Sequence, residues 1–341
     1  MKKILVVNNY SMSKSLDWTK KGILPAQHCW GSDFLEKQAK LKYFTLTIPS
    51  SVHKFHLARV WFYIQNLIIL FKAINCNAIY VAASPLVDLL GFLKYMGMYK
   101  KRIVMIIHHP GNFSLKRQRY DKLIFICRKA YQQAITDYPE YQENFLFQNW
   151  GPDLSFYKGF KTEEIQASFF SNGNTDRDNY TLIEASKNIN SPVGILCNKQ
   201  YIPINYNSSV KNVNITETNN GRIMSGKIMP YKQMLTWSLQ YSICIIPTKK
   251  GRSTLCGLTS FCDAIALGKP VLLADTTHID VDFKKYPFGC YYKAGDVEDL
   301  IKKMKWFSNN NLTQMSEISR RYAEDNDYIK FAEVICKEVL K

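Results

Sequence analysis

The chain has 341 residues and a mass of 39.6 kDa, about twice a single domain of roughly 100 to 200 residues. Hydrophobic residues make up 46% and aromatics 13%, with only 16 Gly and 12 Pro, which excludes disordered, collagen-like and low-complexity classes. Lys and Arg number 45 against 28 Asp and Glu, and residues 1–150 hold 21 of the basic residues but only 8 of the acidic ones. The first half therefore seeks an anionic partner: nucleic acid, an anionic membrane face or a phosphorylated substrate. A basic surface kept for solubility is the competing reading.

The start, MKKILVVNNY, has too short an apolar run for a signal peptide, whose apolar region spans about 7 to 15 residues. It reads as a first core strand of a protein that stays in the cytoplasm. Apolar runs of strand length then alternate with segments of helical period, the pattern of α/β units on parallel sheets. In the first half, strands are expected over 4–7, 43–47, 78–81, 103–107 and 133–136, and helices over 31–38, 55–74, 85–99 and 116–128. The helix over 55–74 holds the longest apolar run, 60–71, short of the roughly 18 residues of a membrane span. With Trp61, Phe62, Tyr63 and Phe71 set among Lys54, Arg59 and Lys72, it reads either as a core helix or as an amphipathic membrane-facing element. Lys100, Lys101, Arg102 and Lys116, Arg117, Arg119 form two basic clusters of the same tendency.

Pro152 and two glycines interrupt the pattern over 149–162, marking a join. Beyond it, strands are expected over 168–171, 193–196, 213–215, 242–246, 270–273 and 289–291. Helices are expected over 181–188, 230–239, 260–267, 297–305, 312–325 and 328–340. This predicts two doubly wound, Rossmann-like α/β domains, 1–155 and 156–325, with an interdomain cleft at the carboxyl ends of the strands. The last segment, 326–341, is expected to pack back toward the N-terminal domain. The nine cysteines are scattered without a C-x-x-C pair, as reduced thiols are.

The densest local signal is 255–276, LCGLTSFCDAIALGKPVLLADT. A glycine turn at Gly257 precedes Thr259 or Ser260 as N-cap, a helix runs to Leu267, and Gly268 closes it before a buried strand. Such a helix start offers backbone N–H groups and a positive dipole end to a phosphate. Asp263, one turn in, is placed to accept hydrogen bonds from ribose hydroxyls, as acidic residues do in other nucleotide sites. A plain capped helix is the competing reading.

Residues 257–275 resemble the nucleotide-sugar motif of retaining GT-B glycosyltransferases, especially glycosyltransferase family 4, whose pattern is roughly E-x-F-G-L-x-x-L-E-A-M-A-x-G-x-P-V-I. Asp263 stands where that family has its second Glu, and the first falls at Leu255, so that acid is missing or comes from elsewhere. Three further segments resemble the same superfamily in order. Residues 170–185 look like its first strand, glycine loop and helix, with Gly173 in the loop and Arg177 where the family has a Lys contacting the donor diphosphate; a guanidinium can grip a diphosphate bidentately. Residues 224–247 resemble the base-binding loop, helix and strand, which brings in Ser225, Gly226 and Lys227. Residues 150–157 look like the domain junction. In the first half, Gly22 opens a segment corresponding by position to the glycine loop after strand one. His108 and His109 end the strand over 103–107, where many family members carry a His near the donor sugar, and His109 is favoured because it sits farther into the loop.

The resemblance implies a GT-B fold and a nucleotide-sugar donor of UDP or GDP type held by Gly257, Leu258, Thr259, Ser260 and Asp263 as well as Arg177. It implies transfer with retention, in which the leaving diphosphate takes the acceptor proton while the protein positions reactants and stabilises phosphate charge. No bound metal or other cofactor is expected. The expected activity is a glycosyltransferase of hexosyltransferase type acting on a glycan or polyprenyl-phosphate-linked acceptor in cell-surface polysaccharide biosynthesis, such as capsule. It would be cytoplasmic and peripheral on the inner face of the membrane, with an anionic membrane surface as partner and no nucleic acid. The alternatives are a nucleotide-sugar epimerase on the same fold and a basic, non-catalytic membrane or nucleic-acid module. Residues 221–227 match G-x-x-x-x-G-K, but Ile228 and Pro230 follow, against a P-loop. Asp176-x-Asp178 and Asp280-x-Asp282 have a metal-site spacing that arises often by chance, and Asp178 reads better as a helix cap.

Overall fold

The computed structural model describes residues 1–47, 58–83, 87–109, 115–160, 166–203, 210–218, 229–251 and 255–341. The chain divides into two compact units, Met1–Trp150 with Tyr328–Lys341, and Gly151–Asp327. The boundary has a local cause on each side. Trp150 stacks on Trp30 at 4.8 Å and donates its indole N–H to the Gln27 carbonyl, which ties it to the first unit. A side chain at Gly151 would lie 1.4 Å from the Asn326 carbonyl oxygen, so the second unit closes on this backbone at van der Waals contact.

The first unit carries a six-stranded parallel sheet in the order β2-β1-β3-β4-β5-β6. Its strands are β1 Lys3–Asn8, β2 Lys40–Thr45, β3 Ala78–Val81, β4 Arg102–Ile107, β5 Lys122–Phe125 and β6 Phe145–Phe147. The continuous apolar runs of β1, β3 and β4 are buried, as expected of parallel strands covered on both faces. Around them lie α1 Met12–Lys20, α2 Ser32–Gln38, α3 Ala58–Ala73, α4 Asp88–Tyr95 and α5 Arg128–Asp137. The sequence reading errs here in four places, one of them the unexpected edge strand β6. A helix, α1, follows β1 directly, capped by Ser11, whose side chain accepts from the Lys14 N–H. The expected helix over 116–128 holds β5, because the apolar run Leu123–Phe125 is buried in the sheet. The expected strand over 133–136 belongs to α5, where Ala130 and Ala134 face inward at helical spacing.

The second unit has its own six-stranded parallel sheet, in the order β12-β11-β10-β7-β8-β9. Its strands are β7 Phe169–Asn172, β8 Val193–Asn198, β9 Val213–Thr218, β10 Ile243–Ile246, β11 Val271–Ala274 and β12 Gly289–Tyr292. Its helices are α6 Leu154–Tyr157, α7 Asn179–Ser186, α8 Tyr231–Leu239, α9 Leu258–Ala266, α10 Val297–Ser308 and α11 Leu312–Asp325. The final helix, α12 Tyr328–Leu340, belongs to the first unit. There the Gly31 N–H donates to Tyr328 Oη at 2.7 Å, and Arg102 reaches Glu338 across 3.2 Å. The nine cysteines are free thiols. No helix among the described residues is long and apolar enough to cross a membrane.

Candidate functional site

In a doubly wound sheet the chain reverses its strand order at one point, and the loops leaving the carboxyl ends there splay apart to form a crevice. In the second unit that point lies between β7 and β10. Strand β7 ends at Asn172, and Gly173 turns away with φ +107, where a side chain would sit 2.8 Å from Arg177 Nη2. Beside it, Gly257 caps α9 with φ +82 and no side-chain hydrogen bond; a Cβ there would lie 2.4 Å from Ile246 Cγ2 and 3.4 Å from Arg177 Nη2. Both glycines are thus required by conformation and by space.

The Arg177 side chain lies between them and is buried. Its Nε and Nη2 donate to the Asn172 carbonyl at 3.3 and 3.1 Å, Nη1 to the Thr175 carbonyl at 3.2 Å, and Nη2 to Ser260 Oγ at 3.1 Å. Ser260 Oγ in turn donates to the Asn172 carbonyl at 3.1 Å. No carboxylate pairs with the guanidinium among the described residues, and burial pulls its pKa below the ordinary value. A buried cation held only by carbonyls and a hydroxyl retains an unneutralised charge. The first intrahelical bond of α9 is Phe261 N–H to the Gly257 carbonyl. The backbone N–H groups of Leu258, Thr259 and Ser260 thus precede the helical ladder, as the first donors of any helix do. Positive charge and free donors converge on one strand end, which is the chemistry of an anion cradle.

Asp263 lies one turn further along α9 and is buried. Its Oδ1 accepts from Tyr157 Oη at 2.6 Å and from Tyr231 Oη at 2.5 Å, while Oδ2 is enclosed without a hydrogen-bond partner. Burial pushes its carboxyl up to about 6, against the pull of the two tyrosyl donors. Burial and the neighbouring carboxylate hold both tyrosines far above their ordinary pKa, so they remain donors. The carboxylate expected to meet a ribose is therefore enclosed in the unbound chain, with one oxygen taken by tyrosines and the other unbonded. Sequence reasoning missed Tyr157 and Tyr231, which lie 106 and 32 positions from Asp263; the only local signal was Tyr231 opening a helix after Pro230. Leu255, in the place of the missing Glu, packs against the unit's apolar core. Ser225, Gly226 and Lys227 lie outside the described residues. Two D-x-D carboxylates belong to turns: Asp178 caps α7 and Asp282 accepts from Lys284 and Lys285 N–H.

In the first unit, His108 follows the end of β4 with Nε2 2.9 Å from the Ala82 carbonyl and its ring against Trp30 at 4.8 Å. Burial lowers its pKa to about 4, so it is neutral at pH 7. The His109 ring lies 6.1 Å away. Gly22 does not occupy the place expected for it. Helix α1 stands between β1 and Gly22, whose N–H bonds back to the Thr19 carbonyl with φ +64, so it closes a helix rather than forming the turn after the first strand.

No protein-family model and no curated protein sequence matches the chain. Solved structures do. A glycosyltransferase from Rickettsia africae ESF-5 is similar with a TM-score of 0.63 at 14% identity, over 100% of this chain and 99% of that one. Anabaena Alr3699/HepE, solved in complex with UDP, matches with a TM-score of 0.62 at 12% identity over 98% of each chain. WaaG, a glycosyltransferase involved in lipopolysaccharide biosynthesis, matches with a TM-score of 0.60 at 13% identity over 98% of this chain and 99% of its own. Two parallel six-stranded sheets with flanking helices, aligned along the whole chain with these proteins, give this chain the GT-B fold.

Proposed function

We propose that the protein is a glycosyltransferase that takes its sugar from a nucleotide-sugar donor. The observation that carries this reading is Arg177: a buried guanidinium with no carboxylate partner among the described residues, beside the N-terminus of α9, at the strand-order reversal of the second unit. A diphosphate supplies the missing negative charge, and its oxygens suit both the planar guanidinium and the backbone donors. The fold supports the reading, since HepE with the same architecture is solved with UDP and with UDP-glucose. Asp263 Oδ2 is then the acceptor for a ribose hydroxyl, held in orientation by Tyr157 and Tyr231.

The chemistry asked of this chain is positioning and charge stabilisation. As the sugar–phosphate bond breaks, charge grows on the diphosphate, beside the fixed positive charge of Arg177 and the N–H groups at the start of α9, which need not reorganise. The leaving diphosphate can take the acceptor proton on the face it vacates, which would give retention and matches the family 4 resemblance of residues 257–275. We further propose a glycan or polyprenyl-phosphate-linked acceptor in cell-surface polysaccharide assembly, supported by the basic character of the first 150 residues.

Thermal stabilisation against UDP, GDP, CMP and dTDP and their sugars tests the donor reading. One base is expected to raise Tm in a concentration-dependent way, and Arg177→Met is expected to abolish the rise. No shift with any nucleotide would overturn it.

A further inference from the structure

Helix α3 departs from the rule for a surface helix, whose outer face is polar: it buries Ile69 and Ala73 and yet carries apolar residues outward as well. Its buried positions include Gln65 and Asn66, and both amides are bonded within the unit. Gln65 Oε1 accepts from the Thr47 N–H at 2.9 Å, and Asn66 Oδ1 accepts from the Leu89 N–H at 3.3 Å. These bonds fix the helix's rotation and turn Val60, Tyr63, Ile64, Leu67, Ile68 and Phe71 outward. The spacing i, i+3, i+4, i+7, i+8, i+11 places all six on one face. Tyr63 is 63% exposed and Phe71 70%. Helix α4, packed beside α3, and the turn after it leave Met96 and Met98 exposed as well. Single exposed apolar residues are ordinary; a continuous face marks an interaction surface.

Charge decides what covers it. From Lys37 to Tyr120 the sequence holds 13 Lys and Arg and one acidic residue, Asp88. Lys101 Nζ donates to the Ala73 carbonyl at 2.9 Å and also to that of Ile74, which brings the Lys100–Lys101 strand entry to the carboxyl end of α3, beside exposed Lys72. A second copy would bring the same positive field and be repelled. An anionic bilayer answers both properties at once, since apolar side chains enter the headgroup boundary and lysines meet anionic headgroups.

We propose that the outward face of α3, with its lysine-bearing end, docks in the surface of an anionic lipid bilayer. The surface stands independently of the transferase reading, because none of its residues belongs to the nucleotide cradle. Flotation with vesicles of phosphatidylglycerol and phosphatidylethanolamine, and in parallel with pure phosphatidylcholine, tests it. The wild-type chain is expected to partition at least about tenfold more strongly to the anionic vesicles. Leu67→Gln with Phe71→Gln is expected to lose about tenfold or more of that binding at unchanged Tm, and Tyr63→Gln alone to lose less. Lys72→Gln with Lys100→Gln is expected to weaken binding several-fold and flatten its salt dependence. Nucleotide-induced stabilisation, read on the same variants, is expected to stay at wild-type level, which separates this test from that of the donor site. Absence of wild-type flotation would overturn the proposal. So would wild-type binding by the Leu67→Gln, Phe71→Gln protein, which would mean attraction by charge alone. Light scattering that finds a dimer broken by the same pair would assign the face to a second copy instead.

Discussion

The two units use one architecture to opposite ends. In the second, polar and charged groups are turned inward at the strand-order reversal: Arg177, Ser260 and Asp263 are all buried, and the surrounding strands are closed off by helices. In the first, apolar groups are turned outward on α3 while Gln65 and Asn66 are turned in. Each inversion of the ordinary rule has a cost in the isolated chain, desolvated charge in one and hydrated apolar surface in the other. On the two proposals made above, each would be relieved by a different partner, an anion within the fold or a surface beyond it. What this teaches is that violations of amphipathic order are more informative than the sheets that carry them.

The contrast breaks most directly at Arg177. Replacing it with Met removes the buried positive charge and its one remaining N–H donor from a bound diphosphate and is expected to weaken nucleotide binding by about 2 kcal/mol, roughly thirtyfold, measured by titration calorimetry. Retained binding would show that the cradle is structural. Next in size are the glycines. Gly257→Ala meets positive φ and Ile246, and Gly31→Ala meets φ +80 and Ile335 Cβ at 2.9 Å. Each is expected to lower stability by about 2 to 4 kcal/mol, read from denaturant midpoints, with nucleotide affinity falling in the first alone.

Acid acts on these sites with opposite signs. Asp263 has a folded pKa of about 6, above its ordinary 3.8, so the folded state holds the extra proton and this site gains stability as pH falls from about 6 to 4. The gain reaches about 3 kcal/mol. His28 and His108 are lowered to about 4 from 6.5, so these two sites lose stability as pH falls through 6.5 toward 4, by about 1 to 2 kcal/mol each after discounting for their partial exposure, opposed in the same unit by Asp33 and Asp88, whose carboxyls burial raises. The Asp263→Asn protein is expected to gain on wild type at pH 7.5 and lose that advantage at pH 4.5. A His28→Gln, His108→Gln protein is expected to do the reverse, being less acid-sensitive than wild type. Equal pH responses would refute this division. The smallest effect comes from helix caps, one in each unit: Ser11→Ala and Asn311→Ala each remove a side-chain acceptor from a helix start and are expected to cost about 1 kcal/mol. If both shift one common transition by the same amount, the units melt together; two separate transitions would show that they do not.

The second unit was legible almost throughout, with α11 running over the very residues expected, as does α12, which belongs to the first unit. In the second unit most apolar strands are separated by segments of clear helical period, so local period and tertiary role agree. The first unit was less so, because Lys122–Phe125 is a strand of four residues and period alone cannot separate so short a run from a turn of helix. The position of α9 and its glycine turn was readable from Gly257 and the hydroxyls after it. Its partners were not.

The sequence by itself determined the alternating apolar runs, and with them two parallel sheets, because buried parallel strands need continuous hydrophobic stretches and their crossovers need helices. It also determined the excess of positive charge in the first half. Only the tertiary structure decided that Tyr157 and Tyr231 grip one oxygen of Asp263, that Arg177 is bonded by carbonyls and a hydroxyl and by no carboxylate among the described residues, and that α3 turns an apolar face outward. Helical period gives the spacing of a face but not its direction. That direction follows from two hydrogen bonds, at Gln65 and Asn66, to residues from other parts of the unit.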